Sequence, residues 1–360
     1  MSDPLDDIFT KSKSISLPRR ILAGHDVVPQ VPDVCAEFEL KSPALMVTGP
    51  TTSVLAGKPI ADVLIDGGYE VQIAQIGEAT KENVSKIVGV AKDVKARFLL
   101  GVGGGSKIDI AKTAATELKV PYISIPTSAS HDGIASPRAS LHGDGASVSI
   151  EAKVPLAIIV DTKVIVKAPF RLLASGCADV ISNKTAILDW RLAQRLRGED
   201  FSSSAATISD YAADSIIQHA EAIKPNLEES IWTAIKPIII SGIAMAIAGT
   251  SRPTSGAEHM FSHMLDRLAP KKALHGEQCG VGSIMTMYLH GGDWKRIRDS
   301  LSTIGAPTTA DQLGISDEIL IQALTCAHKV RQDRYTILGD KGMTAEASER
   351  LAKITGVIGG

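Results

Sequence analysis

Apolar and polar positions follow two regimes along the chain. In the first half, short apolar runs rich in β-branched residues recur at 44–48, 71–76, 98–102, 122–125 and 156–160. Runs of that length without polar alternation predict strands buried on both faces. Between several of them, segments 54–65 and 84–94 space their apolar residues by three and four, which predicts helices. Strand and helix in turn predict a doubly wound parallel sheet, a Rossmann-like α/β variant. The stretch His142-Gly143-Asp144-Gly145, between Ala139 and Ile150, predicts a hairpin appended to that sheet.

Beyond Asp161 the strand signals fade. Segments 178–196, 208–223, 231–248 and 256–268 carry helix formers with 3.6-type spacing, so an all-α C-terminal domain is predicted. Pro155 and Pro169 bracket the change, which sets the expected units at 1–162 and 163–360. The apolar stretch 237–248 is interrupted by Ser241 and Gly242 and is shorter than the roughly 20 apolar residues a bilayer span needs. It reads as a core helix, and no stable membrane insertion is expected.

The 360 residues suffice for a large core, and 38 basic against 40 acidic residues leave no bulk field for a polyanion, so no nucleic-acid partner is expected. Cys35, Cys177, Cys279 and Cys326 lack CxxC spacing, which predicts reduced thiols in a cytoplasmic protein; Cys177 and Cys279 read as small buried hydrophobes. The acidic stretch 1–10 has no signal-peptide pattern.

Candidate chemistry begins at the strand 98–102, which runs into Gly103-Gly104-Gly105-Ser106 and then a helix from Lys107 to Leu118. Glycines there let backbone amides and the positive helix end approach a pyrophosphate, although a tight structural turn fits the same residues. Serine stands where the usual fingerprint has its third glycine or alanine. After the next strand, Thr127, Ser128, Ser130 and Asp132 lie in a polar loop at a strand's carboxyl end, where open α/β sheets bind ligands; capping of that loop is the alternative.

In the second half, His259 and His263 share a helix face, His275 follows the Pro270-Lys271-Lys272 break, and Asp179 opens an upstream helical segment. Two imidazoles and a carboxylate with an open position suit Zn²⁺ or a related divalent ion. Spacing alone suits ordinary core or surface histidines equally well.

Taken together, Gly103-Gly104-Gly105-Ser106-Lys107-Ile108-Asp109, Pro126-Thr127-Ser128-Ala129-Ser130-His131-Asp132-Gly133, Gly176-Cys177-Ala178-Asp179, Ser255-Gly256-Ala257-Glu258-His259 and Leu274-His275-Gly276-Glu277 resemble one family. It is that of the iron-type alcohol dehydrogenases, glycerol dehydrogenases and dehydroquinate synthases, and the likeness runs from about residue 41 to residue 287. The Ser-Ala-Ser-His-Asp-Gly loop and Glu258 look like the archaeal branch that reduces dihydroxyacetone phosphate to sn-glycerol 1-phosphate for membrane lipids.

The resemblance implies one zinc ion held by Asp179, His259 and His275, with Asp132, Asp179 and His263 at a small phosphorylated polyol. It implies that Gly103, Gly104, Gly105, Ser106, Lys107, Asp109, Thr127, Ser128, Ser130 and Ser136 hold the nicotinamide cofactor. A homo-oligomer is also implied. Asn183 stands where iron-type members carry a further histidine ligand, which favours three-ligand zinc members. The strand 44–48 ends without an acidic residue to repel a 2′-phosphate, so NADPH is expected to enter as well as NADH. Arg252 and Lys184 are candidates for the substrate phosphate. Rival readings are a glycerol dehydrogenase, a dehydroquinate synthase and a non-catalytic nucleotide-binding protein.

Overall fold

The computed structural model describes residues 14–143, 146–269 and 273–359. Strands and helices of seven or more residues are numbered in chain order. The strands are β1 (Arg20–Gly24), β2 (Ala44–Thr48), β3 (Val71–Gln75), β4 (Phe98–Gly103), β5 (Tyr122–Pro126), β6 (Arg138–Gly143), β7 (Ala146–Glu151) and β8 (Ala157–Asp161). In the α/β half, α1 (Val31–Glu37), α2 (Lys58–Asp66), α3 (Lys81–Asp93) and α4 (Gly105–Leu118) alternate with them.

Six strands form one sheet in the order β1-β8-β5-β4-β2-β3, all parallel. Residues of β2, β4, β5 and β8 are fully buried because helices cover both faces. Ile60 and Leu64 pack with Met46 and Leu100 on one face, and Ile87, Ile110 and Ala114 with Leu45 and Leu99 on the other. From β2 the chain moves outward to β3, then crosses back to β4. The crevice between the carboxyl ends of β2 and β4 is therefore the switch point where ligands bind in such sheets.

The hairpin forms as expected, with β6 and β7 antiparallel from Arg138↔Glu151 to Gly143↔Ala146; Asp144 and Gly145 at its tip lie outside the described residues, as do Pro270, Lys271 and Lys272. Strand β1 was not expected. It pairs in parallel with β8 at the sheet edge, and its half-exposed side chains lack the continuous apolar run of an inner strand.

The helical half comprises α5 (Phe170–Ile181), α6 (Asn183–Arg197), α7 (Ser203–Gln218), α8 (Glu228–Ala248), α9 (Ala257–Leu268), α10 (His275–Leu289), α11 (Trp294–Ile304), α12 (Asp317–Cys326) and α13 (Ala345–Ile354). The expected helix over 178–196 is two helices that meet at Ser182, whose hydroxyl turns back to the Asp179 carbonyl at 2.6 Å. Helix α8 is long and apolar enough to cross a membrane, yet two-thirds of that stretch is buried in the protein, among Ile216, Ile217 and Cys177. It is a core helix.

Candidate active site

A cleft of about 690 Å³ lies between the carboxyl edge of the sheet and the helical half. Its sheet-side wall is the turn from β4 into α4. The first amides of a helix have no intrahelical acceptor, and at the α4 N-terminus no capping side chain takes them. A Cβ on Gly103 would lie 2.8 Å from Lys107 Cγ, and one on Gly105 1.8 Å from His131 Nε2, so these two positions leave no room for a side chain. Lys107 Nζ donates to the Gly77 carbonyl at 2.7 Å, closing the turn against the segment after β3.

Of the ten residues expected at the cofactor, Gly104, Gly105, Ser106, Lys107, Asp109, Ser128, Ser130 and Ser136 line the cleft. Gly103 and Thr127 stand behind it, where the Thr127 amide donates to the Gly103 carbonyl at 3.0 Å and extends the β4/β5 pairing. Asp109 has a second engagement. Its Oδ1 accepts from the wholly buried Lys112 at 3.3 Å and its Oδ2 from the Ser140 amide at 3.0 Å. Lys112 also donates to the carbonyls of Gly133 and Arg138, so this buried pair pins the loop after β5 and the hairpin to α4. Glu78, just after β3, also lines the cleft; it is a carboxylate that the strand 44–48 lacks.

The opposite wall holds the donors. Asp179 on α5, His259 on α9 and His275 on α10 converge, with His259 Nε2 3.7 Å and His275 Nε2 3.8 Å from Asp179 Oδ1. Their packing is close because of two glycines. Gly276 lies against the Ser175 carbonyl and Gly176 against the Ala129 carbonyl, where a Cβ on either would come within 2.0 Å. Arg171 on α5 grips Glu277 on α10 with two bonds of 2.6 and 2.7 Å, and Glu277 accepts from the Leu274 amide at 2.8 Å. Asp179 and His275 are thereby held opposite each other.

Outer contacts orient every donor. Glu258 Oε1 meets His259 Nδ1 at 3.0 Å, Ser262 Oγ meets His275 Nδ1 at 3.0 Å, and the Asp132 amide donates to Asp179 Oδ2 at 3.2 Å. Both imidazole Nε2 atoms and one carboxylate oxygen are left facing a common point, the arrangement found around metal-ligating histidines. Two ligands each about 2.0–2.2 Å from one ion stand within roughly 4.3 Å of each other, so the 3.7 and 3.8 Å separations fit a single divalent ion.

Cysteine 279 was read as a buried hydrophobe, but its ligand atom completes a group of four with Asp179, His259 and His275, all within 4.8 Å of one another. Its Sγ is 3.6 Å from His275 Nε2. The signal was present as an i,i+4 spacing from His275 on one helix face.

Burial is the largest single influence on His259 and His275 and opposes their charged forms, but Cys279 together with Glu258 for His259, and with Asp179 for His275, more than offsets it. His259 is held well above its usual range and His275 at about 9. His263 is the opposite case: burial, then His275 and His259, push it well below, and it is neutral. Its buried Nδ1 has no hydrogen-bond partner, and the residue lines the cleft. Asp132 is raised to about 7 by burial and by Asp179, against the Ser241 hydroxyl that donates to its Oδ2 at 2.8 Å. Asn183 sits behind that hydroxyl, donating to Ser241 Oγ at 2.9 Å, and is not in the donor group.

Neither candidate for the substrate phosphate is in the cleft. Arg252 is buried in a two-pronged ion pair with Glu199, and Lys184 is paired to Asp210 and Asp214 beside a separate cavity of about 280 Å³. Arg138, Arg331 and Arg334 line the cleft instead.

A parallel sheet with a glycine turn, joined to a helical half that presents an Asp-His-His cluster, has the architecture of the iron-containing alcohol dehydrogenase class. The family described as "Iron-containing alcohol dehydrogenase" matches residues 22–169. The glycerol dehydrogenase of Schizosaccharomyces pombe shares the fold at a TM-score of 0.78 and 20% identity, over 96% of this chain and 91% of that one. Sulfoacetaldehyde reductase from Bifidobacterium kashiwanohense, solved in complex with NAD+, does so at 0.73 and 17%, over 96% and 99%. In sequence, the chain is 54% identical to the glycerol-1-phosphate dehydrogenase (NAD(P)+) of Methanosarcina mazei, over 96% of this chain and 97% of that protein. It is 54% identical to the enzyme of that name from Methanothermobacter thermautotrophicus, over 96% and 99%. The chain belongs to the glycerol-1-phosphate dehydrogenase family.

Proposed function

We propose that this protein reduces dihydroxyacetone phosphate to sn-glycerol 1-phosphate with NADPH or NADH. The observation that carries the reading is that one cleft has the glycine turn on its sheet wall and the Asp179, His259 and His275 donors on its helical wall. Near-full-length relatives of that activity at about half identity support it.

Asp179, His259 and His275 would hold a zinc ion, with Cys279 beside it. When bound, the ion supplies a Lewis acid for the carbonyl oxygen and the nicotinamide supplies the hydride. The chain's own part is positioning. Free amides at the α4 N-terminus receive the pyrophosphate, and Ser128 and Ser130 offer hydroxyls along the same wall. Glu258 and Ser262 fix the imidazole tautomers, and the Asp132 amide fixes the carboxylate. His263, a neutral imidazole lining the cleft, would hydrogen-bond a substrate hydroxyl. We take 1–162 as the dinucleotide-binding unit and 163–360 as the metal- and substrate-binding unit, in a cytoplasmic homo-oligomer whose cysteines are reduced.

One assay tests the reading: turnover of NADPH or NADH with dihydroxyacetone phosphate, compared with cofactor turnover on glycerol and on the dehydroquinate synthase substrate. Dihydroxyacetone phosphate should be strongly preferred. Preference for unphosphorylated glycerol would replace the reading with a glycerol dehydrogenase.

A further inference from the structure

Three guanidinium groups converge on the cleft with little to neutralise them. Arg138 begins β6 in the α/β half, while Arg331 and Arg334 lie on a turn between α12 and α13, closed by the Arg334 amide on the Arg331 carbonyl at 3.0 Å. The partners of Arg334 are the Ser255 carbonyl at 3.1 Å and the Ser251 hydroxyl at 2.7 Å. Those of Arg138 are the Ser149 hydroxyl and carbonyl, at 3.2 and 3.1 Å. Among the described residues neither has an ion-pair partner, and Arg331 has only Asp333 of its own turn, at 3.0 Å. A buried charge held by neutral acceptors alone is costly.

The strain shows in the charges themselves. Burial, then Arg331 and Arg252, bring Arg334 down to about 9, and burial and Arg331 also lower Arg138. A dianion among the three would relieve both the repulsion and the desolvation. Its place in the cleft tells which dianion. Arg334 is bonded to the Ser255 carbonyl, two residues before the helix that carries His259, and to the Ser251 hydroxyl, and Arg331 lines the same cleft as His259 and His263. Arg334 therefore lies on the metal-donor side and shares its turn with Arg331, while Arg138 faces the cleft from the hairpin; the pyrophosphate end of a dinucleotide belongs at the α4 N-terminus.

We propose that Arg138, Arg331 and Arg334 form the receptor for the phosphate of the substrate, a subsite built from both halves of the chain. This deepens the proposed function and rests on it. Arg331 and Arg334 fall beyond the stretch where the sequence resemblance is carried, and nothing in their local pattern marks them.

The test compares Arg331→Gln and Arg334→Gln with the unaltered enzyme on two substrates, dihydroxyacetone phosphate and dihydroxyacetone, with inorganic phosphate as an inhibitor. Loss of one charged hydrogen-bond partner should raise KM for the phosphorylated substrate by roughly 10–100-fold more than for dihydroxyacetone. Inhibition by inorganic phosphate, competitive with dihydroxyacetone phosphate, should weaken in parallel. Thermal melting and NADPH binding report whether each variant folds. An unmoved KM in a folded variant, or equal penalties on both substrates, overturns the subsite while leaving the dehydrogenase reading intact. An unaltered enzyme that reduces neither substrate refutes the dehydrogenase reading, yet phosphate-dependent thermal stabilisation that disappears in both variants would still support the subsite.

Discussion

Substituting Gly276 by alanine isolates what the close packing of α5 and α10 contributes. A Cβ there would lie 2.0 Å from the Ser175 carbonyl oxygen and 2.8 Å from its carbon. Carbon and oxygen approach to about 3.3 Å at closest, so the helices must separate by roughly 1.3 Å. His275 is the neighbouring residue, and Asp179 lies one turn beyond Ser175 on the opposing helix. Overpacking costs about 1–3 kcal/mol, and the helix propensity gained by replacing glycine offsets up to about 1 kcal/mol of it. The fold should survive. A metal site tolerates far less, since ligand distances hold within about 0.2 Å and supporting geometry within about 0.5 Å. Gly276→Ala should therefore melt within several degrees of the unaltered protein while its zinc affinity, measured by competition with a chromogenic chelator, falls by at least the 10–100-fold typical of a disrupted supporting shell. Full zinc stoichiometry with unchanged affinity would refute the claim that this crossing sets the donor geometry.

Three further outcomes are expected. Glu258→Gln keeps a hydrogen-bond acceptor but loses the charge at His259 Nδ1, and zinc affinity in a competition titration should drop roughly 10–100-fold with NADPH binding unchanged. Lys112→Met leaves Asp109 and the Gly133 and Arg138 carbonyls without their buried donor, and urea unfolding should show a loss of about 3–5 kcal/mol. Cys279→Ser should leave one equivalent of zinc bound, with no sulfur-to-cobalt band lost from the absorption spectrum of the cobalt-substituted protein, because Asp179, His259 and His275 hold the ion; loss of such a band in the variant would put the thiol on the ion.

The inner strands β2, β4, β5 and β8 were legible because burial on both faces leaves a continuous apolar run in the sequence. Strand β1 was not, since an edge strand with exposed Arg20 and Ile21 carries no such run and is defined by its pairing with β8. The glycine turn was legible for the same local reason: three glycines between a strand and a helix are consecutive. The donor cluster was not, because Asp179, His259 and His275 come from three helices, and only helix packing brings them within 4.8 Å. Sequence spacing left that set open, and resemblance supplied it. Arg252 and Lys184 were candidates as cations alone, and Glu199, Asp210 and Asp214 engage them. Arg331 and Arg334 gave no such signal, since their position over the cleft depends on how the segment after α12 folds back.

The central claim is tested most directly by following NADPH oxidation with dihydroxyacetone phosphate in the purified protein, in the metal-stripped protein and after zinc is restored, and by assigning the configuration of the product. The account predicts oxidation that is lost on stripping and recovered with one zinc ion per chain, with sn-glycerol 1-phosphate as the product. Undiminished oxidation in the metal-free protein, or sn-glycerol 3-phosphate as the product, would contradict it.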